Sequence, residues 1–168
     1  MTRRLSAACV ALVLAWVSVT AADDLSVSVD PKANLSVFRT FALHSGKIDS
    51  PRPELDNPLF VKKMSTTIRA ALTARGLKET ADHPDLLVDY TVTGEDFSMG
   101  VPTPMRGVGP QPVRSTAGTL VIDLTKPGDS NPVWRGKYSD EEGTGSKLVQ
   151  KLPEDAKKLV ARYPQHTK

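Results

Sequence analysis

Apolar and polar residues alternate most regularly in two runs of the chain, at 119–124 and 133–138. Alternation with a period of two, in β-branched and aromatic residues, is typical of half-buried strands. The segment between the runs, 126–132, contains two prolines, a glycine and polar residues that favour a turn. The pattern therefore predicts a β-hairpin. The residues predicted to share its apolar faces are Leu120, Ile122, Leu124, Trp134 and Tyr138.

Three further runs predict strands, at 25–29, 35–43 and 85–93. The first alternates cleanly and is ended by Pro31, which removes a backbone donor. The second carries apolar residues mainly on one face but places Phe38 on the other. This strand is therefore expected to be covered on both sides or to lie beside another element.

Two segments carry apolar residues at helical spacing. The first begins at Asn57, a suitable N-cap, with Pro58 at the first helical position, and it ends at Gly76. The second is predicted to begin near Pro153, with acidic residues in its first turn, and to end at Pro164. The predicted buried stripes are Phe60, Met64, Ile68 and Leu72 in the first helix, and Ala156, Leu159, Val160 and Tyr163 in the second.

Residues 94–115 contain four prolines and four glycines, without apolar periodicity. They predict a long structureless Pro/Gly-rich loop, which in a compact domain is usually functional or disordered. Flexible apolar side chains in such a loop are typical of partner contacts, but they also suit a loop that covers a sheet edge against aggregation. Both interpretations remain open. The apolar candidates for partner binding are Phe97, Met99, Val101 and Met105.

In chain order the elements read ββαβββα, which predicts a single α+β domain over residues 23–168. The alternating strands favour a mainly antiparallel sheet of about five strands, with two helices packed on one face. The order of the strands in the sheet does not follow from this pattern.

The first 22 residues have the composition of an export signal: Arg3 and Arg4, an uncharged apolar run, then small residues. Cleavage is expected after Ala21 or Ala22. The only cysteine, Cys9, would be removed with the leader, so the processed chain would hold no disulfide and no thiolate chemistry.

Removal of the leader also lowers the count of Lys and Arg from 22 to 20, because Arg3 and Arg4 are lost, against an unchanged 19 Asp and Glu. The processed chain is then nearly neutral, which argues against a nucleic-acid partner. No stable membrane span is expected after cleavage.

Few residues combine into a known catalytic or metal-binding pattern. The three histidines are far apart and are predicted to lie in exposed loops or the tail. The segment 143–147 departs from the phosphate-binding motif and predicts a flexible loop. Arg135 is a candidate for partner binding, although pairing with Asp123 across the hairpin is the favoured interpretation. We expect no cofactor, no metal and no enzymatic activity.

Five segments of the chain, taken in order, carry a resemblance to a known family: LSVFRTFAL at 35–43, DLLVDY at 85–90, GTLVIDL at 118–124, VWRG at 133–136 and AKKLVARYP at 156–164. Together they resemble the DUF4136 family, a domain of unknown function found in small exported, often lipidated, bacterial proteins. The family implies an exported protein and an α+β fold, without an activity or catalytic residues. This chain departs from the lipidated members because no cysteine stands at the predicted cleavage site.

The sequence therefore predicts a periplasmic or secreted protein, associated with the envelope and peripheral to the outer membrane. Its predicted role is that of a non-enzymatic binding or scaffolding module, with an envelope protein as partner. The alternative is a carrier of a small hydrophobic ligand or lipid held between sheet and helices.

Overall fold

The computed structural model describes residues 24–101, 111–142 and 144–165, with side chains described except at 97–101, 111–115 and 141–142. The predicted leader, residues 1–22, lies outside the described residues. The elements are β1 (Asp24–Val29), a 3₁₀ turn (Leu35–Val37), β2 (Thr40–Asp49), α1 (Pro58–Ala74), β3 (Lys78–Glu79), β4 (Leu86–Val101), β5 (Gln111–Thr125), β6 (Pro132–Glu142) and α2 (Gly145–Val160).

The described strands form a mixed sheet of six strands in the order β1-β6-β5-β4-β2-β3. The β1–β6, β6–β5 and β5–β4 pairs are antiparallel, whereas β2 is parallel to both β3 and β4. The prediction of about five mainly antiparallel strands is therefore correct only in outline. The parallel pairs arise because α1 connects β2 to its neighbours, and a helical crossover returns the chain in the same direction. The two-residue β3 is too short to produce an alternating pattern.

The predicted hairpin is confirmed as β5 and β6. Leu124 lies opposite Trp134, and Leu120 lies opposite Tyr138. All four side chains are buried, Trp134 with 1% of its surface exposed. Directly opposed residues on one face of an antiparallel pair contact each other, so this hairpin supplies the centre of the apolar core.

Both helices cover the same face of the sheet, as predicted. The Tyr90 hydroxyl on β4 donates a hydrogen bond to the Val61 carbonyl of α1 at 3.1 Å. Gly118 on β5 lies directly beneath Leu148 of α2, so close that a Cβ there would stand 2.8 Å from the leucine. The buried apolar side chains of sheet and helices form one continuous core.

Helix α1 begins and ends as the sequence predicts. The Asn57 side chain accepts a hydrogen bond from the Phe60 amide at 2.9 Å, which satisfies a donor that the helix itself leaves unpaired. Gly76 adopts a positive φ of 93° after the last turn, a conformation that a side chain would strain. The predicted stripe of four apolar residues is fully or almost fully buried.

Helix α2 begins eight residues earlier than predicted, at Gly145 rather than near Pro153. Thr144 caps it by accepting a hydrogen bond from the Lys147 amide, so the segment predicted as a flexible loop starts the helix. Pro153 lies inside the helix and removes one backbone donor. Burial of Leu148 and Leu152 offsets that cost, because each is fully removed from water.

The strand predicted at 35–43 is shifted towards the carboxyl end in the structure. Residues Leu35–Val37 form a 3₁₀ turn, because the Asn34 side chain accepts a hydrogen bond from the Ser36 amide at 3.1 Å. Strand β2 begins only at Thr40 and continues to Asp49, six residues beyond the predicted end of the strand at 43. Its polar residues are tolerated because most of them are exposed.

The prediction of a loop at 94–115 is wrong for most of that segment. Strand β4 continues to Val101, and β5 begins at Gln111, with the two paired in unbroken register. Backbone hydrogen bonds hold such a pair without apolar alternation, which is why the composition did not indicate it. Pro112 is tolerated because at this point the only partner of β5 within the described residues is β4. Residues 102–110 lie outside the described part of the chain.

Tyr163 fills the end of the core, where its ring packs edge-on against Trp134 with the ring centroids 6.0 Å apart. Burial raises the pKa of Tyr163 to about 12 from its ordinary value of 10.0. Above the unfolded pKa the unfolded chain releases the phenolic proton while the folded chain retains it. We therefore expect stability to fall as pH rises between these two values, and to fall less steeply in Tyr163→Phe. Urea titrations of both proteins across this range test the difference; equal slopes would contradict it.

Candidate functional site

Two strands extend beyond the other strands of the sheet, and we name this extension the β4–β5 arm. It consists of Phe97–Val101 and Gln111–Ser115, paired from Phe97 opposite Ser115 to Val101 opposite Gln111. Pairing between β4 and β2 ends at Thr93, and pairing between β5 and β6 ends at Thr116. Within the described residues, the arm strands therefore pair only with each other. Five residue pairs extend the ribbon by about 17 Å beyond the sheet.

A hydrogen-bond cluster fixes the base of the arm. Arg52, in the connection after β2, donates from Nε to Asp96 Oδ1 at 2.7 Å and from Nη2 to Thr116 Oγ1 at 3.1 Å. The Thr116 hydroxyl donates in turn to Asp96 Oδ1 at 3.0 Å, and Thr116 is fully buried. Charge-assisted hydrogen bonds to a carboxylate are among the stronger ones, so the arm leaves the sheet from an ordered base.

The same connection packs closely under Gly94, just before the arm. The Ser50 hydroxyl donates to the Gly94 carbonyl at 3.3 Å. A Cβ on Gly94 would stand 2.5 Å from Ser50 Oγ and 2.6 Å from Leu55 Cδ1. Leu55 is fully buried there, so glycine is required for the close approach.

The second candidate surface is the face of the sheet that neither helix covers, which we name the open face. Asp123 and Arg135 lie on it, opposite each other on β5 and β6. Arg135 Nε donates to Asp123 Oδ1 at 2.6 Å and Nη2 donates to Oδ2 at 2.7 Å. These bonds raise the pKa of Arg135 above its ordinary value. The predicted pairing is thus present, and it neutralises the guanidinium that was a candidate for partner binding.

A second carboxylate, Asp89 on β4, lies opposite Asp123 in the strand register. It accepts hydrogen bonds from the Ser45 hydroxyl and, at 2.9 Å, from His44 Nδ1. Asp89 is therefore hydrogen-bonded to residues of β2 on one side, and Asp123 is paired with Arg135 of β6 on the other. These contacts reduce the repulsion that like charges on neighbouring strands would cause. The result is a polar row across four strands, on a face open to solvent.

The predicted placement of the histidines in loops and the tail is only partly correct. His44 lies on β2, because that strand extends further than predicted. His83 lies in a loop, is 96% exposed at its side chain and adopts a positive φ of 44°. His166 is outside the described residues. Over residues 24–101, 111–142 and 144–165, no group of three or more His, Cys, Asp or Glu side chains has an arrangement that fits a metal ion.

The structure separates the residues that the sequence proposed for partner binding. Phe97, Met99 and Val101 belong to the β4 strand of the arm, and Met105 lies outside the described residues. Arg135 is opposite Asp123, eight residues along β5 from the start of the arm, or about 26 Å in an extended strand. The arm and the Arg135 pair are therefore distinct surfaces.

Sequence reasoning missed the cluster at the base of the arm. Arg52 is 44 residues from Asp96 and 64 from Thr116 in the chain. No local spacing connects residues so far apart. The only usable signal is the cross-strand pairing of Asp96 with Thr116, which lies beyond the predicted ends of both strands.

None of the helices in the described residues is long and apolar enough to cross a lipid bilayer.

Comparison with solved structures returns several likenesses at low sequence identity. A PDZ domain protein from Parabacteroides distasonis is 12% identical, covering 86% of this chain and 36% of that one, with a TM-score of 0.55. This likeness shows a shared fold alone. The PelC dodecamer from Paraburkholderia phytofirmans is 10% identical, with coverage of 88% of this chain and 100% of that one and a TM-score of 0.46. A DUF4136 family protein from Bacteroides thetaiotaomicron is 16% identical, covering 84% of this chain and 93% of that one, with a TM-score of 0.45.

Family membership rests on the sequence rather than on these structural likenesses. No curated protein matches the sequence. The model of the family described as "Domain of unknown function (DUF4136)" matches residues 25–165. That range includes both helices and every described strand apart from the first residue of β1. The chain therefore belongs to the DUF4136 family.

Proposed function

We propose that this protein is an exported, envelope-associated binding module without enzymatic activity, which contacts a protein partner through the β4–β5 arm. The observation that carries the proposal is the continuation of β4 and β5 past every neighbouring strand in the described residues. The export signal predicted at residues 1–22 supports the location.

The arm has the properties that strand-mediated recognition requires. Its two outer edges carry backbone donors and acceptors that no other described strand uses. A partner segment that adds a strand to such an edge gains main-chain hydrogen bonds, and side chains at alternate positions supply specificity. The Arg52 cluster holds the base in place before binding, which lowers the entropy cost of ordering the arm.

The open face is the second surface available to the same partner. It presents the polar row rather than an apolar patch, and its central cation is already paired with Asp123. Exposed, paired charges of this kind contribute little affinity but add specificity. The arm is therefore the primary contact in this proposal, and the open face is secondary.

A carrier of a hydrophobic ligand is the less favoured function. The interface between the sheet and the helices is filled by fully buried side chains, among them Met64, Ile122, Trp134 and Leu152. A ligand there would have to displace a packed core, which is costly at protein packing density. Native mass spectrometry that finds a co-purified lipid in this interface would restore the carrier proposal.

The proposed contact is tested by placing a photo-crosslinking amino acid at position 99 in the arm. The matched control carries the same amino acid at position 32, in the exposed turn after β1. We expect one discrete adduct from the exported protein at position 99 and none at position 32. A competitor in which residues 98–114 are replaced by Asn-Gly, a two-residue hairpin turn, should fail to suppress the adduct.

Unlabelled wild-type protein should suppress the adduct in the same assay. The shortened competitor retains Asp96 and Thr116, so its thermal unfolding midpoint should stay close to that of the wild type. Equal suppression by the shortened and the wild-type competitors would refute the proposal.

A further inference from the structure

The two helices carry a charge opposite to that of the rest of the described chain. Residues 58–75 and 145–162, which contain α1, α2 and the residues just after them, hold nine Lys or Arg against two Asp or Glu. The other described residues hold nine Lys or Arg against sixteen Asp or Glu. The formal charges are therefore +7 and −7. A nearly neutral processed chain is thus strongly polarised, with its positive side on the helices.

Both helices lie on one face of the sheet, so their outward sides form one surface, which we name the helix layer. The helices run side by side in the same direction, since Lys63 lies near Glu154 and Arg75 Nε donates to the Tyr163 carbonyl at 2.7 Å. Cations are distributed along the whole layer. The exposed ones are Lys62, Lys63, Lys147, Lys157, Lys158 and Arg162.

Helix stability does not account for these positions. Cations stabilise a helix near its carboxyl end, which fits Lys157 and Lys158, and they are unfavourable in the first turn. Yet neither helix has an acidic residue in its first turn, and Lys147 lies in the first turn of α2. Within the described residues, Lys62, Lys63 and Lys147 make no ion pair with a carboxylate. All three residues are exposed, so their charge is accessible to an external anion.

The helix layer also holds the most exposed of the large apolar residues identified at the described surface. Leu59 is 79% exposed. It precedes Lys62 and Lys63 by three and four positions, so all three lie on the same side of α1. Between the helices, a groove of about 380 Å³ is lined by residues that include Ala70, Ala74, Lys157 and Ala161. An exposed leucine beside lysines is the combination that binds lipid interfaces.

We propose that the helix layer docks on an anionic membrane surface, with its lysines and Arg162 on lipid phosphates and Leu59 in the headgroup region. The partner is a lipid surface rather than an acidic protein, because the charge is spread over two whole helices and accompanied by an exposed apolar side chain. This orientation leaves the open face, on the other side of the sheet, directed away from the lipid. The inference does not depend on the function proposed for the arm.

Vesicle co-sedimentation of the purified protein tests the inference, with vesicles of phosphatidylcholine alone and of phosphatidylcholine with phosphatidylglycerol. We expect binding only to the anionic vesicles, weakening as salt increases. Each Lys or Arg near an anionic surface contributes about fivefold in affinity, so loss of three cations would reduce binding about 100-fold, and their reversal to Glu should reduce it by at least that factor. The test variant is Lys62→Glu/Lys63→Glu/Arg162→Glu. The control, with the same change in charge at residues outside the two helices, is Lys32→Glu/Lys47→Glu/Lys137→Glu.

The control should bind anionic vesicles within about threefold of the wild type, because its substitutions lie outside the helix layer. Leu59→Ser should weaken binding without changing its salt dependence. Equal losses in the two triple variants would overturn the inference, since net charge alone would then explain binding. Equal binding to neutral and anionic vesicles would overturn it too. The inference would also be overturned if the helix triple variant changed its oligomeric state but still bound vesicles as the wild type does. The helix layer would then be the contact with a second copy of the chain.

Discussion

Replacement of Trp134 by alanine is expected to lower the free energy of unfolding by about 4 kcal/mol. This value lies within the range typical of large aromatic side chains deleted from protein cores. The indole is 1% exposed and packs against Tyr163 and across the sheet against Leu124. Its removal leaves a cavity between sheet and helices that the surrounding strands cannot close. Urea unfolding followed by far-ultraviolet circular dichroism measures the loss without relying on tryptophan fluorescence.

Two further variants test whether the loss of stability comes from the buried indole ring. Val37 is 58% exposed, so Val37→Ala should change stability by no more than about 0.5 kcal/mol. The Trp134 indole nitrogen has no hydrogen-bond partner within the described residues, so Trp134→Phe removes an unsatisfied donor and should cost less than Trp134→Ala. A loss below about 1 kcal/mol in Trp134→Ala would mean that the indole is not part of the core.

Substitution of Gly136 by valine is expected to cost about 3 kcal/mol, the upper part of the range for overpacking a core. Gly136 lies in the middle of β6, and a Cβ there would stand 2.6 Å from Trp134 Cη2 and 2.7 Å from Leu159 Cγ. Both neighbours are buried, so neither has free space into which it can move. Chemical denaturation again provides the measurement.

The coupling between the two sites distinguishes overpacking from a general loss of strand stability. In the double variant Trp134→Ala/Gly136→Val, the valine enters space that the indole has vacated. The double variant should therefore lose less stability than the sum of the two single losses, by about 1 kcal/mol or more. Strict additivity would show that the glycine is not required by the indole.

The elements that sequence reasoning predicted well are those whose signals are local. Asn57, Pro58 and Gly76 specify the ends of α1 by hydrogen bonding and backbone conformation within a few residues. The β5–β6 hairpin was predictable because its apolar alternation and its turn are adjacent in the chain. In each case the physical cause lies within the segment itself.

The elements that were missed depend on contacts made elsewhere in the chain. Pro153 suggested a helix start, but burial of Leu148 and Leu152 against the sheet extends α2 through it. Similarly, the prolines and glycines of 94–115 suggested a loop, although paired backbone groups form strands there without apolar alternation. The Arg52 cluster could not be predicted either, because its members meet only after β2, β4 and β5 are assembled.

The binding proposal requires that the β4–β5 arm is a paired ribbon and not a loop, and disulfide formation across the arm distinguishes the two. Met99 lies opposite Val113, whereas Gln111 is offset by two residues from that pairing. Opposed residues are about 4.5–5.5 Å apart at Cα, within reach of a disulfide, whereas diagonal residues are about 7–8 Å apart.

Two double-cysteine variants are compared in the absence of the native cysteine: Cys9→Ser with Met99→Cys/Val113→Cys, and Cys9→Ser with Met99→Cys/Gln111→Cys. In a paired ribbon, we expect the opposed pair to oxidise nearly completely and the offset pair hardly at all. Equal oxidation of both pairs would rule out the ribbon, since it would show that these residues sample many arrangements, as a loop does.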